Sequence, residues 1–311
     1  MFQDGKYVVK SWWDMAIKET NFDVGILRRG KVRDVYDLGE HLLLVTTDRI
    51  SAFDVILPTP IPDKGKILTM MSRFWFDFFS EDIKHHLVTS YSSTIVWMYP
   101  ELKKYEDILK NRSMLVRKYK VLPIECIVRG YITGSGWKSY KRTGMISGIK
   151  LPSGLKESQR LEPPLFTPTT KAEQGHDQEI TFEDVVLMIG RELAEKIRDI
   201  SIKLYSKARD YALSRGIIIA DTKFEFGLDE DENIYLVDEV LTPDSSRFWY
   251  VEDYEEGRSQ KSFDKQFVRD YLNSLDWDKA PPGPEVPADV VENTRGRYIQ
   301  IYNHLTGEDL F

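Results

Sequence analysis

Residues 217–227 read Ile-Ile-Ile-Ala-Asp-Thr-Lys-Phe-Glu-Phe-Gly, and residues 233–240 read Asn-Ile-Tyr-Leu-Val-Asp-Glu-Val. The apolar run Ile217 to Ala220 predicts a buried strand. Thr222 to Gly227 and Asn233 to Val240 then predict a hairpin around the acidic turn Asp229-Glu-Asp-Glu232. A strand repeats every two residues, so Asp221, Lys223 and Glu225 share one face. Thr222, Phe224 and Phe226 take the other face, against a core. Pairing Gly227 with Ile234 would set Lys223 opposite Asp238. Glu225 and Asp238 are hard oxygen donors beside a cation, Lys223. Mg²⁺ prefers one or two carboxylates together with phosphate oxygens. The structural alternative is a cross-strand salt bridge on a wet sheet face. The turn carboxylates 229–232 read as a solvated loop.

On the N-terminal side of this strand, Thr181-Phe-Glu-Asp184 has the form of a capping box and opens a long helical stretch. Gly216 supplies its stop and Gly190 a bend or break. Further back, Ile127-Val-Arg129-Gly-Tyr-Ile-Thr-Gly-Ser135-Gly-Trp ends an apolar strand on an arginine and turns into a helix over Ser135 to Lys141. An arginine fork, a serine hydroxyl and free helix-start amides suit a phosphate monoester. The alternative is an ordinary helix capped by Ser135 or Thr133. On the C-terminal side, Thr242-Pro-Asp244-Ser-Ser-Arg247-Phe-Trp249 reads as a turn and cap, or as a phosphate clamp packed by two aromatics. Phe263 to Leu275 and Asp289 to His304 read as closing helices, with a linker, APPGPEVP, at 280–287.

The N-terminal third is β-rich. Val32 to Asp37 and Leu42 to Thr47 predict a hairpin around Gly39-Glu40. Leu68, Met71, Trp75, Phe78 and Phe79 recur at helical spacing, so Lys66 to Ser80 reads as an amphipathic helix with its aromatics in the core. Ser113 to Lys120 and Ile124 to Arg129 read as strands joined at Leu122-Pro123. His85-His86 reads as a solvated helix-end pair, and Leu151 to Thr170 as a linker. In Arg29-Gly-Lys-Val-Arg-Asp-Val-Tyr36, Lys31 and Arg33 project from one strand face beside Gly30, where backbone can approach a ligand closely. That is a candidate polyphosphate cradle, and its alternative is a solvated edge strand.

The chain has 311 residues, which at roughly 150 per domain suggests two domains. Hydrophobic residues at 41% and charged residues at 30% exclude disorder as the main state. A net charge of −7 argues against a general nucleic-acid binder. The single cysteine, Cys126, excludes an internal disulfide and reads as a buried small hydrophobe. No apolar run approaches the ~18 residues of a membrane span, and the first residues lack a secretory layout, so no membrane partner and a cytoplasmic setting are expected. No Walker A loop, dinucleotide fingerprint, zinc constellation or hydrolase elbow is present.

The ordered strings GKVRDVY (30–36), TTDRISAFDV (46–55), PDKGK (62–66), RGYITGSGW (129–137), LFTPTTKAEQGHD (165–177), IADTKFEFG (219–227) and VDEVLTPDSSRFW (237–249) together resemble the SAICAR synthase family, in its larger form of about 300 residues. That resemblance implies an α+β fold. A kinase-like, small antiparallel-sheet N-terminal domain (1–120) would precede an ATP-grasp-like α+β domain (121–311), with nucleotide between them. It implies an ATP-dependent ligase of purine biosynthesis, joining the carboxylate of CAIR, a carboxylated aminoimidazole ribonucleotide, to the amine of L-aspartate through an acyl phosphate. ATP would be co-substrate and Mg²⁺ the cofactor, in a monomer or homodimer. Gly30, Lys31, Arg33 and Lys223 fall at the ATP phosphates, and Lys118 to Pro123, with Val121, at the adenine. Glu225 and Asp238 fall at the metal. Arg129, Ser135 and Arg247 fall at the CAIR phosphate and Asp244 at the CAIR head. Lys171, His176 and Asp177 match the loop near the reacting centre, and Asp221 is a candidate base by position. The rivals are a small-molecule kinase and a non-catalytic nucleotide-binding protein.

Overall fold

The computed structural model describes residues 16–171, 178–263 and 265–310, and the backbone of 2–3 and 6–7. In chain order its main elements are β1 (Ile26–Arg29), β2 (Arg33–Asp37), β3 (His41–Thr46), α1 (Lys64–Phe78), β4 (Ser113–Arg117), β5 (Lys120–Val121), β6 (Ile124–Tyr131) and α2 (Gly134–Thr143). There follow β7 (Arg160–Phe166), β8 (Thr169–Thr170), α3 (Phe182–Ile189), α4 (Arg191–Ser214), β9 (Ile217–Leu228), β10 (Ile234–Val237), β11 (Ser246–Tyr250), α5 (Gln266–Asn273) and α6 (Ala288–Thr306). The fold is α+β with antiparallel pairing throughout its registered strands. It divides into two compact units. One takes in the chain up to Met70, Thr89–Val116 and Phe267–Gly296, and the other Met71–Val88, Arg117–Gln266 and the chain from Arg297 on.

In the first unit the sheet runs β1-β2-β3-β4. The predicted hairpin is present, with Asp37 facing Leu42 and Arg33 facing Thr46. Apolar side chains at Ile50, Leu57 and Ile61 bury themselves against Val268, Leu272 and Val291 of the closing helices. Asp48 is among the polar groups fully enclosed here. Asp48 accepts from the amides of Ile17 and Gly65 and from both terminal nitrogens of Arg112, at 2.8–3.2 Å. Arg112 also donates to the Thr46 carbonyl, so β3, the start of α1 and the approach to β4 are fastened at one point.

In the second unit the long strand β9 is central. The path runs β5-β9-β6-β7, and β10 and β11 also pair with β9. The two segments predicted as separate strands, Ile217 to Ala220 and Thr222 to Gly227, are one strand of 12 residues. Its buried face rests on α4, whose inward positions Ala194, Ile197, Ser201, Leu204, Tyr205, Ala208 and Ala212 keep helical spacing. The long helical stretch is divided by Gly190 into α3 and α4, and the Thr181–Asp184 capping box closes the start of α3.

Several expectations are corrected. The β9–β10 register pairs Gly227 with Tyr235 and Glu225 with Val237, so Lys223 does not face Asp238. Asp229 organises the connecting turn by accepting from the amides of Asp231 and Asn233, which leaves Leu228 facing Ile234. Asp238 follows the end of β10 in a left-handed conformation. The stretch 151–170 is not a plain linker, because β7 and β8 within it pair with β6. Pro163 and Pro164 fit there because β7 is an edge strand. The strand from Ser113 ends at Arg117, and Lys120–Val121 pairs instead with β9. His85 and His86 are not a solvated helix end. His86 is buried, and its amide donates to the Leu236 carbonyl of β10.

Candidate active site

The register of the second sheet decides the first cluster. Arg129 on β6 faces Asp221 on β9, and Asp221 faces Arg247 on β11. Directly opposed residues on neighbouring strands share a face, so one carboxylate lies in a row between two guanidiniums. Arg129 donates to the Asp221 Oδ2 at 3.0 Å, and Arg247 donates to the same oxygen. Both partnerships sit beside irregularities, one between Ile219 and Asp221 against β11 and one between Arg129 and Tyr131 against β7. Such irregularities re-aim side chains. The other nitrogens of Arg129 donate to Thr167 Oγ1 and Ser135 Oγ, each at 3.0 Å. Burial works against the Arg129 charge, and Asp221 supports it.

Gly134 makes room for this row, and Gly130 makes room for Tyr205 of α4. A Cβ on Gly130 would lie 1.9 Å from the Tyr205 hydroxyl, which donates to the Ile219 carbonyl. Gly134 has φ +56°, and a Cβ there would lie 2.5 Å from the Arg247 guanidinium. Gly134 also begins α2, where Thr133 is the N-cap residue but makes no side-chain cap. The Thr133 side-chain cap of the alternative reading is therefore absent. Ser135 faces Arg129 instead, and α2 starts against the arginine row.

The second cluster lies further along the same strands. Lys223 donates to Glu225 Oε1 at 2.8 Å and to Glu125 Oε1 at 2.9 Å, and Lys171 pairs with Glu225 Oε2. Thr169 donates to the second oxygen of Glu125 at 3.1 Å. Burial opposes the Lys223 charge, but Glu225, Asp238 and Glu125 outweigh it and hold the ammonium well above its ordinary value. Asp238 thus acts electrostatically on Lys223 although the register does not oppose them.

Each remaining predicted residue has its own surroundings. Gly30, Lys31 and Arg33 belong to the first unit, where Lys31 pairs with Asp54. Lys118 is exposed and Val121 is 44% exposed, both in the second unit. Asp244 accepts from the Tyr298 hydroxyl and pairs with Lys265, each at 3.0 Å. His176 and Asp177 lie outside the described residues. Cys126 is buried, and burial pushes its thiol up, away from nucleophilic use.

Sequence reasoning missed Glu125, Asp48, Arg112 and Arg49. The available signal was the same for each: a charge in or beside an apolar run that the chain buries. Among the described residues no group of three or more His, Cys, Asp or Glu side chains is arranged to hold a metal. A pair remains, Glu225 and Asp238, both acting on the half-buried Lys223.

The Arg129–Asp221–Arg247 row and the Lys223 cluster lie on the same strands of one sheet. Residues 26–284 match the SAICAR synthetase family. The chain is 56% identical over 293 residues to the phosphoribosylaminoimidazole-succinocarboxamide synthase of Thermodesulfovibrio yellowstonii, covering 94% of this chain and 99% of that one. It is 57% identical to the enzyme of the same name from Geotalea uraniireducens, over 92% and 96% of the two chains. Among solved structures, SAICAR-synthase from Saccharomyces cerevisiae complexed with SAICAR superposes with a TM-score of 0.87 at 49% identity, covering 94% and 99%. A SAICAR synthetase in complex with ADP superposes at 0.66 and 25% identity, over 91% and 99%. The chain belongs to the SAICAR synthetase family and is an ATP-dependent ligase of purine biosynthesis.

Proposed function

We propose that this chain joins the carboxylate of CAIR to the amine of L-aspartate in two chemical steps. A CAIR carboxylate oxygen attacks the γ-phosphorus of ATP, ADP leaves, and an acyl phosphate forms. The aspartate nitrogen then attacks that carbonyl carbon, phosphate leaves, and the amide remains. The spare ammonium proton passes to a base. ATP is needed because a carboxylate is a poor acyl electrophile, whereas phosphate is a good leaving group. Phosphoryl transfer asks the protein mainly for positioning and charge neutralisation. Lys223, held charged by three carboxylates, is suited to that at the transferring phosphate, with Gly30, Lys31 and Arg33 on the polyphosphate.

The observation that carries the substrate assignment is the Arg129–Asp221–Arg247 row with Ser135 at the start of α2. Two guanidiniums and a hydroxyl beside a helix start fit the phosphate monoester of a ribonucleotide. The same contacts favour Asp221 as the group that orients both arginines over its reading as the base. Asp244, tied to Lys265 and Tyr298, offers a firmly held carboxylate for the CAIR head. Lys118 to Pro123, including Val121, is the adenine segment. Lys171 and the neighbouring His176 and Asp177 serve the reacting centre.

Glu225 and Asp238 are the residues that would hold Mg²⁺. Their hard carboxylate oxygens fit it, and the Lys171 ammonium on Glu225 marks a place where a cation is favoured. Bound there, the ion would neutralise charge on the phosphates. No helix among the described residues is long and apolar enough to cross a membrane. A cytoplasmic monomer or homodimer completes the proposal.

The test is ADP release by purified protein with Mg-ATP and CAIR, with and without L-aspartate, and mass spectrometry of the product. ADP release that requires all three, with a succinyl group added to the product, supports the ligase. A phosphorylated small molecule formed without aspartate would replace it with a kinase. Bound ATP without turnover would leave a nucleotide-binding protein.

A further inference from the structure

The side chain of Arg49 is turned onto the β1–β2 loop. Its Nε donates to the Lys31 carbonyl at 3.2 Å. One terminal nitrogen donates to the Gly30 carbonyl at 3.0 Å and to Asp34 Oδ1 at 2.8 Å. The other donates to the Lys18 carbonyl. Only 11% of this side chain is exposed, and Asp34 is fully buried. Asp34 is itself fixed, accepting from the amide and hydroxyl of Thr20 at 2.6 and 2.9 Å. The next carbonyl, Val32, is taken by the amide and hydroxyl of Thr47. Three consecutive carbonyls of the loop are therefore held by the segment 47–49.

A trans peptide points its C=O and N–H in opposite directions. Pinning the Gly30 and Lys31 carbonyls aims the amides of Lys31 and Val32 away from Arg49. Neither amide donates a hydrogen bond among the described residues. Two successive N–H groups of a turn, without partners among the described residues, are donors that an anion can use. A guanidinium suits the holding task because its donors are rigidly placed, whereas a lysine ammonium cannot span four acceptors.

We infer that Arg49 is a positioning residue for ATP: by gripping the Gly30 and Lys31 carbonyls it presents the Lys31 and Val32 amides to the polyphosphate. This rests on the reading of Gly30 to Arg33 as the polyphosphate loop. Arg49 touches no reacting atom, and its effect passes through the backbone.

The experiment uses the full chain in three forms: native, Arg49→Lys and Lys31→Met. ADP and adenosine affinities are measured by calorimetry or competition, with KM for each substrate and thermal melting. Arg49→Lys is expected to weaken ADP and raise KM for ATP about ten-fold, the scale of one or two lost anion contacts, while adenosine affinity and KM for aspartate stay unchanged. An Arg49→Lys protein that binds ADP normally while Lys31→Met binds it poorly overturns the role of Arg49 and spares the loop. Normal ADP affinity in both variants removes the loop reading, and the inference with it. Equal weakening of ADP, adenosine and aspartate, in step with a fall in melting temperature, also overturns it, since that is a structural role. A readout free of folding effects uses native protein with ¹⁵N-labelled valine. The Val32 amide signal should shift on adding ADP but not adenosine, and a static signal overturns the proposal.

Discussion

Asp48 and Asp221 are both buried carboxylates that meet arginine, yet the two surroundings differ in one respect. Around Asp48 the set is closed: two amides and both ends of Arg112 fill its oxygens, and Arg112 spends a further donor on a carbonyl. Arg112 is 3% exposed. Around Asp221 the set is open. One oxygen serves two arginines, and 27% of the Arg247 side chain is exposed. A closed set fastens a fold, because its carboxylate and guanidinium satisfy each other and nearby backbone in a buried place. An open set leaves part of a guanidinium at the surface, within reach of something that arrives. The two can be separated experimentally, since the first should register in stability and the second in turnover.

The largest effect is expected at the open set. Arg247→Met removes a partly exposed guanidinium from the proposed phosphate pocket and should lower kcat/KM for CAIR by about 10²–10³-fold, on the scale of a lost charge-assisted contact to a dianion. The melting temperature should move by only a few degrees. Steady-state kinetics with varied CAIR, beside a melt, checks it. An unchanged kcat/KM would close the set and make Arg247 as structural as Arg112.

Next is Asp48→Ala, which strands the Arg112 guanidinium without its counter-ion. Breaking a buried pair costs about 3–5 kcal/mol, a large part of a domain's stability. Urea unfolding should show that loss, while the folded fraction keeps its KM values within a factor of a few. A selective rise in one KM would mean that Asp48 also serves the site.

Asp221→Asn distinguishes two roles for one residue. As the holder of two arginines, it should raise KM for CAIR about ten-fold and spare most of kcat, since a neutral amide still accepts from a guanidinium but more weakly. As the base, it should lower kcat by orders of magnitude and remove an ionisation from the pH–rate profile. The result also reports on how readable the site was. Both arginines and Asp221 stand out in the sequence as charges beside apolar strand residues. Their partnership does not, because it depends on two strand registers, each with an irregularity next to the row. The one-residue error at Lys223 and Asp238 has the same origin, in a turn whose length Asp229 sets. Period-two patterning assigns faces but leaves register open. The hairpin, the amphipathic helix and the capping box were legible because each rests on local spacing. The edge strand β7 was hidden by prolines that a central strand would not tolerate. The burial of His86 was hidden because a contact with β10 from far along the chain produces it.

A smaller effect concerns pH. The carboxylates around Lys223 raise its value, so the ammonium is fully charged below that raised value and loses its charge only as pH climbs through it. That lies beyond the ordinary assay range. Any alkaline fall in kcat/KM for ATP between about pH 7 and 9 therefore belongs to another group. Lys223→Arg, which does not titrate there, should lower the rate but leave the shape of the profile unchanged. Disappearance of an alkaline limb in that variant would mean that Lys223 titrates and that its three carboxylates do not govern it.

The smallest effect is at Cys126, which lies on β6 facing Phe224 and is closer in character to the closed set than to the open one. The thiol is buried, and burial pushes it up, so little thiolate forms at neutral pH. A thiol reagent should label native protein only as fast as the sheet opens, and labelling should become immediate in denaturant. Cys126→Ala should cost about 1 kcal/mol or less, as expected for a small buried group whose removal leaves little cavity, with KM values unchanged. Fast labelling of the native protein that ATP suppresses would place Cys126 at the nucleotide, and β6 would then have to open far more readily than the buried row beside it suggests.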